Sequence, residues 1–199
     1  NLTLPDSPWV DLAEEMANLL PHQITVLGRR DLPAVFCELG LLVNQRLEEG
    51  KAAGPTVYFL LLGLHRARDL RLEESSLSFS FGEEKGLALP DQFANLLREG
   101  PEVGIHFLAW CDTYASLRRV VDRRRLGEFA LRVAGPMSSE DSVNFLDDPA
   151  ASRLDKPHRL LFYDEERPSY LEKFRPYALP ERAWLKAAAE KLRTRAGGN

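Results

Sequence analysis

One uninterrupted apolar run constrains the fold of this chain more than any other feature. Residues 57–62 read Val-Tyr-Phe-Leu-Leu-Leu, and the run stops at Gly63. A continuous apolar run of this length, ended by glycine, is typical of a strand that is buried on both faces of a parallel sheet. Such sheets bind ligands beyond the carboxyl ends of their strands. No acidic residue directly follows this strand, so an oxygen-rich ligand site is not expected at its end.

Similar apolar runs alternate with helical patterns along the rest of the chain. Strands are predicted at 23–27, 56–62, 104–110 and 129–133, and helices at 9–20, 31–49, 90–99, 113–124, 138–146 and 180–195. This alternation predicts an α/β fold with a mostly parallel sheet flanked by helices. Two further runs, at 159–163 and 170–174, flank a polar turn and predict an antiparallel hairpin at the C-terminal edge of that sheet. Residues 1–199 are expected to form a single domain, with a terminal helix and tail at 180–199.

The helix and strand pattern is lost between residues 70 and 87. This segment is acidic and rich in serine, and we expect a mobile insertion there. Leu77, Phe79 and Phe81 alternate with serines, so a docked hairpin is the alternative.

Composition excludes several classes of protein. The 199 residues are 44% hydrophobic and 28% charged, with a net charge of −4, so the chain as a whole is not biased toward nucleic acid. No apolar run is long enough to span a membrane, and no signal peptide is recognisable. The two cysteines, Cys37 and Cys111, lie in apolar runs and indicate buried free thiols in a reducing, cytoplasmic compartment. The chain begins without methionine, and we expect it to be a piece of a longer protein.

Four stretches share their order and residue types with one known family. They are the strand at 20–26, the strand and following segment at 55–70, the Gly-Ile-His strand at 104–109, and the segment 129–154, which contains Arg132-Val133, Asp141-Ser142 and Leu146-Asp147. Together they resemble the C-terminal part of the FtsK/SpoIIIE-type motor ATPases, in the HerA/FtsK branch of the P-loop ATPases. The resemblance covers about residues 20–175 and implies a RecA-like P-loop NTPase core.

The chain departs from that family where the family's chemistry lies. It has no Gly-x-x-x-x-Gly-Lys-Ser/Thr loop. Leu62 and Gly63 stand where the resemblance places the Walker B acids, Asp112 stands at a sensor-like position, and Pro101 stands where the family has an arginine acting in trans. Magnesium requires oxygen ligands that this strand end lacks. We therefore expect a degenerate Walker B site and no catalytic residue. ATP and Mg²⁺ are expected only if a parent protein supplies the missing loop.

Other charged residues provide weaker candidate sites. One basic cluster is the candidate for contact with DNA phosphates, with ion pairs to Asp122 and Glu128 as the alternative; its members are Arg118, Arg119, Arg123, Arg124 and Arg125. His65, Arg66 and Arg68 follow the central strand and form either an anion site or a solvated loop. The four histidines show no metal-ligand spacing among themselves, so no metal site is expected.

Three functional hypotheses follow from the resemblance. The first is a degenerate FtsK/SpoIIIE-like ATPase module, non-catalytic and structural or regulatory within a larger motor or secretion protein. Its partners would be other domains of the parent chain or sister ATPase subunits, with DNA as a further candidate. The second is an active ATP-dependent DNA translocase domain whose phosphate loop lies upstream, with Asp69 or Asp112 replacing the missing acids. The third is a protein-interaction domain that does not bind nucleotide.

Overall fold

The computed structural model describes residues 2, 10–50, 54–72, 87–156, 158–167 and 170–196. Two amphipathic helices precede the first strand, α1 (Val10–Leu19) and α2 (Leu32–Glu48). The first half continues with β1 (Val57–Leu62), α3 (Leu89–Glu99) and β2 (Ile105–Trp110). The second half contains α4 (Tyr114–Leu117), α5 (Arg123–Leu126), β3 (Leu131–Ala134), α6 (Ser139–Leu146), β4 (Leu160–Asp164), β5 (Leu171–Phe174) and α7 (Arg182–Ala196). No helix in these ranges is long and apolar enough to cross a membrane.

The central prediction of parallel pairing is confirmed for two strands. β1 and β2 pair in parallel, with Val57 opposite Ile105 and Leu62 opposite Trp110. One face of this pair packs on α2 and α3 through four phenylalanine rings. Phe36 stacks on Phe93 with ring centroids 5.6 Å apart, and Phe59 and Phe107 meet both helices from the sheet. These rings form the centre of the larger hydrophobic core.

A buried arginine fixes α2 against the start of both strands. Nη1 of Arg46 donates to the carbonyl of Val103 over 2.8 Å, and Nη2 donates to the carbonyl of Pro55 over 2.9 Å. Gly54 adopts a φ of +110°, and a Cβ there would lie 3.1 Å from Nη2 of Arg46. Arg46 therefore holds together the two turns that lead into the parallel pair.

The predicted mostly parallel sheet is wrong in two places. Residues 23–28 form no strand in the described part of the chain, and Ile24 and Val26 are exposed there. The strand predicted at 129–133 forms as β3, but it pairs antiparallel with β4, placing Leu131 opposite Asp164. Strand propensity indicates an extended segment but does not select its partner, because pairing depends on tertiary contacts.

The predicted hairpin is confirmed, but it does not extend the parallel sheet. β4 and β5 pair antiparallel and join β3 in a separate three-stranded sheet. Ser138 caps the predicted helix α6, accepting the backbone N–H of Asp141 over 3.0 Å. A second, smaller core joins this sheet to α6, with Leu146, Leu161 and Tyr163 buried. The described fold is thus mixed α/β, with a small parallel sheet and an antiparallel sheet.

Three further predictions are corrected or lie outside the described residues. The two thiols predicted to be buried are not, because Cys37 is exposed and Cys111 is partly exposed. The helix predicted at 113–124 is two separate turns, because Asp122 caps a new helix by accepting the backbone N–H of Arg125. Of the segment predicted to be a mobile insertion at 70–87, residues 73–86 lie outside the described ranges. Leu70 is fully buried in the larger core, so this end of the segment belongs to the folded domain.

Candidate functional site

The carboxyl ends of β1 and β2 lie at one edge of the parallel sheet. The register places Leu62 opposite Trp110, so the residues that follow each strand are neighbours. We call Leu62, Gly63, His65, Cys111 and Asp112 the strand-end site. Open α/β sheets bind ligands at this edge, because loops from adjacent parallel strands converge there.

The end of β1, where the sequence predicts a degenerate Walker B site, is closed by the chain itself. The backbone N–H of Leu2 donates to the carbonyl of Leu62 over 3.0 Å. Gly63 has a φ of +91°, in the left-handed region, and a Cβ there would lie 3.2 Å from the carbonyl oxygen of Leu2. A side chain longer than glycine would be strained at this position. The end of β1 therefore has neither an acidic group nor room for one at residue 63.

Asp112 lies opposite this closed end, paired with a histidine. Its Oδ1 is 3.5 Å from Nδ1 of His65 and accepts the backbone N–H of Thr113 over 2.8 Å. Burial alone would raise the pKa of Asp112, but hydrogen bonds from Ser116 and Thr113 and the charge on His65 lower it below its usual value. Asp112 therefore keeps its negative charge to a lower pH than an ordinary carboxyl does, and its Oδ1 faces the imidazole of His65.

Cys111 completes a compact group of side chains. Its Sγ lies 3.7 Å from Oδ1 of Asp112 and 3.5 Å from the carbonyl oxygen of Thr113. Burial is the main cause that raises the pKa of the Cys111 thiol, and the charge on Asp112 adds to it. One ligand atom each from His65, Cys111 and Asp112 lies within 4.8 Å of the others.

Sequence reasoning missed this group because His65 lies 46 residues before Cys111 and 47 before Asp112 along the chain. The spacing among the four histidines did not indicate a metal site. The available signal was topological, since His65 and Cys111 each follow a strand of the predicted parallel pair. Parallel neighbours bring such residues together at one edge.

The predicted DNA-contacting arginines are placed in two groups. Arg118 and Arg119 follow α4 and are exposed, as are Arg123 and Arg124 in α5. Burial raises the pKa of the Tyr114 hydroxyl, while the charges of Arg118 and Arg123 oppose that effect, which places both arginines near this tyrosine.

Arg125 differs from the other four arginines of the cluster. Its Nη2 pairs with Asp91 on α3 over 2.9 Å, and its side chain is only 15% exposed. Asp122, proposed as an ion-pair partner, instead caps α5.

In the segment 129–154, the residues that resemble the FtsK/SpoIIIE family make contacts that hold the fold together. Nε of Arg132 donates to the carbonyl of Phe129 over 2.9 Å, Nη1 donates to Phe145 over 3.2 Å, and the guanidinium lies 4.9 Å from the ring centroid of Tyr163. Ser142 is fully buried. Its hydroxyl donates to the carbonyl of Asp148 and accepts the backbone N–H of Ala151 over 3.0 Å. These residues join β3, α6 and the following turn.

Comparison with known proteins supports the fold. No family model matches the sequence, and no curated protein matches it. Among solved structures, the chain is similar to the cytoplasmic domain of the Thermomonospora curvata type VII secretion ATPase EccC, with a TM-score of 0.52 and 14% sequence identity. The similarity covers 92% of this chain and 20% of that chain. The chain therefore has a fold found in part of a secretion ATPase, and it spans about one fifth of that protein's solved length.

Proposed function

We propose that this chain is a non-catalytic FtsK/SpoIIIE-like ATPase module with a structural or regulatory role in a larger motor or secretion protein. It would pack in the cytoplasm against other domains of its parent chain or against sister ATPase subunits. The solved neighbour is itself a domain of a secretion ATPase, which agrees with this setting. The proposal goes beyond the fold similarity and rests on the chemistry of the strand-end site.

The closed end of β1 carries the proposal. Phosphoryl transfer depends on acidic and cationic groups that hold Mg²⁺ and position the attacking water. The family resemblance sets Leu62 and Gly63 at the position of those acids, and the backbone of Leu2 covers Gly63. Within the strand-end site, Asp112 provides the one carboxylate, and its Oδ1 contacts His65 and accepts the N–H of Thr113. Magnesium prefers six oxygen ligands, which these five residues do not supply.

An exposed sheet face supports a role in packing against protein. Parallel sheets are normally covered on both faces. The face of β1 and β2 opposite α2 and α3 carries Tyr58, Leu60, Leu108 and Trp110, which are each more than half exposed. Contiguous apolar patches of this kind mark protein interaction sites.

Calorimetric titration of the full parent protein with Mg-ATP, together with phosphate-release kinetics, tests the proposal. Phosphate loops in other domains of the parent are first disabled by lysine-to-alanine substitutions, whereas a loop directly upstream of this module is left intact, because the translocase hypothesis depends on it. We expect neither saturable binding nor turnover to remain. Magnesium-dependent binding in the micromolar range with turnover would contradict the non-catalytic assignment.

A second test addresses the packing role. The double variant Leu60→Asp, Leu108→Asp places two charges on the exposed sheet face. In the full parent protein we expect it to weaken subunit or domain association, measured by sedimentation velocity. The control is Leu131→Asp, an exposed leucine on β3. If both variants and the wild type associate equally well, the exposed sheet face does not pack against another domain or subunit.

The second candidate function is a DNA translocase domain, and the exposed arginines favour it. Arg118, Arg119, Arg123 and Arg124 could contact phosphates, and each such contact adds about 0.9 to the salt slope of duplex binding. Fluorescence anisotropy at low and moderate salt tests this candidate. Tight binding that is abolished by Arg123→Ala with Arg124→Ala, but kept in the exposed control Arg175→Ala, would favour the translocase. Weak, salt-sensitive binding in all three proteins would favour the non-catalytic module.

A further inference from the structure

We propose that His65, Cys111 and Asp112 form a binding site for a tetrahedral transition-metal ion of the zinc class. The site lies at the carboxyl edge of the parallel sheet, where the resembling motors would hold magnesium and nucleotide. It does not rest on the proposed function, because the three side chains would bind metal whether or not the parent protein is a motor.

The distances fit tetrahedral coordination. Bonds of about 2.3 Å to sulfur and about 2.0–2.1 Å to nitrogen or oxygen separate neighbouring ligand atoms by about 3.3–3.6 Å around tetrahedral zinc. Oδ1 of Asp112 lies 3.5 Å from Nδ1 of His65 and 3.7 Å from Sγ of Cys111. The third separation, between a ring nitrogen of His65 and Sγ of Cys111, is at most 4.8 Å. Where it exceeds the tetrahedral spacing, metal binding requires the Cys111 side chain to rotate toward the ring.

The donor set also matches the chemistry of zinc. Imidazole nitrogen, thiolate and carboxylate are its usual ligands, and three protein ligands plus a water complete the coordination of open zinc sites. Cys111 binds as a thiolate, so its proton leaves to solvent when the metal binds. The same set lacks the six oxygen donors that magnesium prefers.

One nitrogen in the group is a buried polar atom without a hydrogen bond. Nδ1 of His65 is buried and makes no hydrogen bond within the described part of the chain. Buried polar atoms of native proteins are almost always hydrogen-bonded, so an exception needs an explanation. Contact with Asp112 at 3.5 Å explains the orientation of the ring but does not use the thiol. A metal ion at the centre of the group satisfies the nitrogen, the sulfur and the carboxylate together.

Arg66 is the one side chain that opposes the metal. Its Nε donates to Nε2 of His65 over 3.2 Å. When metal binds Nδ1, Nε2 carries the proton, and the two N–H groups then face each other. Arg66 must therefore turn away on metal binding, and its positive charge lowers the affinity. Removing this side chain is expected to tighten binding.

Cobalt titration of the untagged chain is the primary test. Tetrahedral Co²⁺ bound to thiolate gives a charge-transfer band and strong visible absorption. We expect saturation at one equivalent, loss of the charge-transfer band in Cys111→Ser, and at least tenfold weaker binding in His65→Ala and Asp112→Asn. Cys37→Ser and His22→Ala are the matched controls and should bind as the wild type does. A missing band in the wild type, or loss of the band only in Cys37→Ser, would overturn the site.

Thiol protection in the wild-type protein keeps the test independent of variant folding. Alkylation by iodoacetamide is followed by peptide mass spectrometry with and without Zn²⁺. We expect zinc to slow modification of Cys111 at least tenfold and to leave Cys37, which is exposed, unchanged. Equal rates at Cys111 with and without zinc would overturn the proposal. In the same assay Arg66→Ala should reach protection at a lower zinc concentration, and a requirement for tenfold more zinc would contradict ligation through Nδ1.

Discussion

The strand-end site and the unit formed by β3 and α6 show opposite relations to the resembling family. At the strand-end site the chain departs from the family pattern, and the strand end is closed by Leu2 and Gly63. In the β3 and α6 unit the family pattern is kept, and Arg132 and Ser142 have structural contacts. The residues that match the family pattern are ones that hold this fold together. The resemblance is therefore carried by the scaffold, and this difference can be tested residue by residue.

The largest effect is expected at Arg132. Arg132→Ala leaves the carbonyls of Phe129 and Phe145 without this donor and removes the cation beside Tyr163. We expect the free energy of unfolding to fall by about 2–3 kcal/mol, because partly buried acceptors lose their partners. Urea denaturation measures this change. Arg175→Ala is the control, since that arginine is exposed and its loss should barely move the midpoint. If both variants lowered the free energy of unfolding by the same small amount, Arg132 would not have the structural role assigned to it.

Ser142 is expected to show the next largest effect. Ser142→Ala removes both hydrogen bonds of a fully buried hydroxyl, to the carbonyl of Asp148 and from the N–H of Ala151. The loss should be about 2 kcal/mol, measured by the same denaturation. Ser139→Ala, on the exposed first turn of α6, should stay within about 0.5 kcal/mol of wild type. A wild-type midpoint for Ser142→Ala would show that this family-like position has no structural role.

A substitution at Gly63 tests whether the strand-end site is closed to an acidic side chain. Gly63→Asp places an acid where the family has one, but the positive φ and the carbonyl of Leu2 oppose any side chain there. We expect a loss of about 1–2 kcal/mol in stability and no gain in magnesium binding.

Gly40, within α2, provides the control, because a side chain there is expected to raise the stability of the protein and not to lower it. A Cβ at Gly40 meets nothing within 4 Å, so Gly40→Ala should stabilise the protein by about 0.4–1 kcal/mol. Thermal melts with and without Mg²⁺ compare the two variants. Magnesium-dependent stabilisation of Gly63→Asp would mean that the strand end can still form a metal site for nucleotide chemistry.

The smallest effect is the pH dependence contributed by Asp112. Its pKa is lowered in the folded protein, because the hydrogen bonds from Ser116 and Thr113 and the charge on His65 outweigh burial. Its contribution to stability is therefore present above the ordinary carboxyl pKa of 3.8 and is lost as the pH falls through that value toward the lower folded pKa. The gap in melting temperature between wild type and Asp112→Asn should narrow in this range. A gap that does not change with pH would contradict the assigned role.

Much of the local structure could be predicted from the sequence, because its signals are local. The apolar runs of β1 and β2, the Ser138 cap and the β4–β5 hairpin each depend on adjacent residues. The placement of β3 could not be predicted, since its Leu-Arg-Val-Ala pattern fits either sheet. Its partner is selected by distant contacts, including those of Arg132 with Phe145 and Tyr163.

At the candidate site, the sequence predicts only that acidic residues are absent from the end of β1. The absence of acids after β1 is visible in the sequence, and the structure adds the closure by Leu2. The group formed by His65, Cys111 and Asp112 was not predictable from spacing, because it depends on the register that sets Leu62 opposite Trp110.

The central claim is that the end of β1 is closed to nucleotide and its metal. Amide resonances of the parent domain, labelled with ¹⁵N-glycine, report on this directly when paramagnetic Mn²⁺ replaces Mg²⁺ in the nucleotide complex. Gly63 lies at the strand end, and Gly40 on α2 serves as the reference. The account predicts that Mn-ATP leaves the Gly63 signal as sharp as that of Gly40. Saturable broadening of Gly63 alone, reversed by excess Mg-ATP, would contradict it.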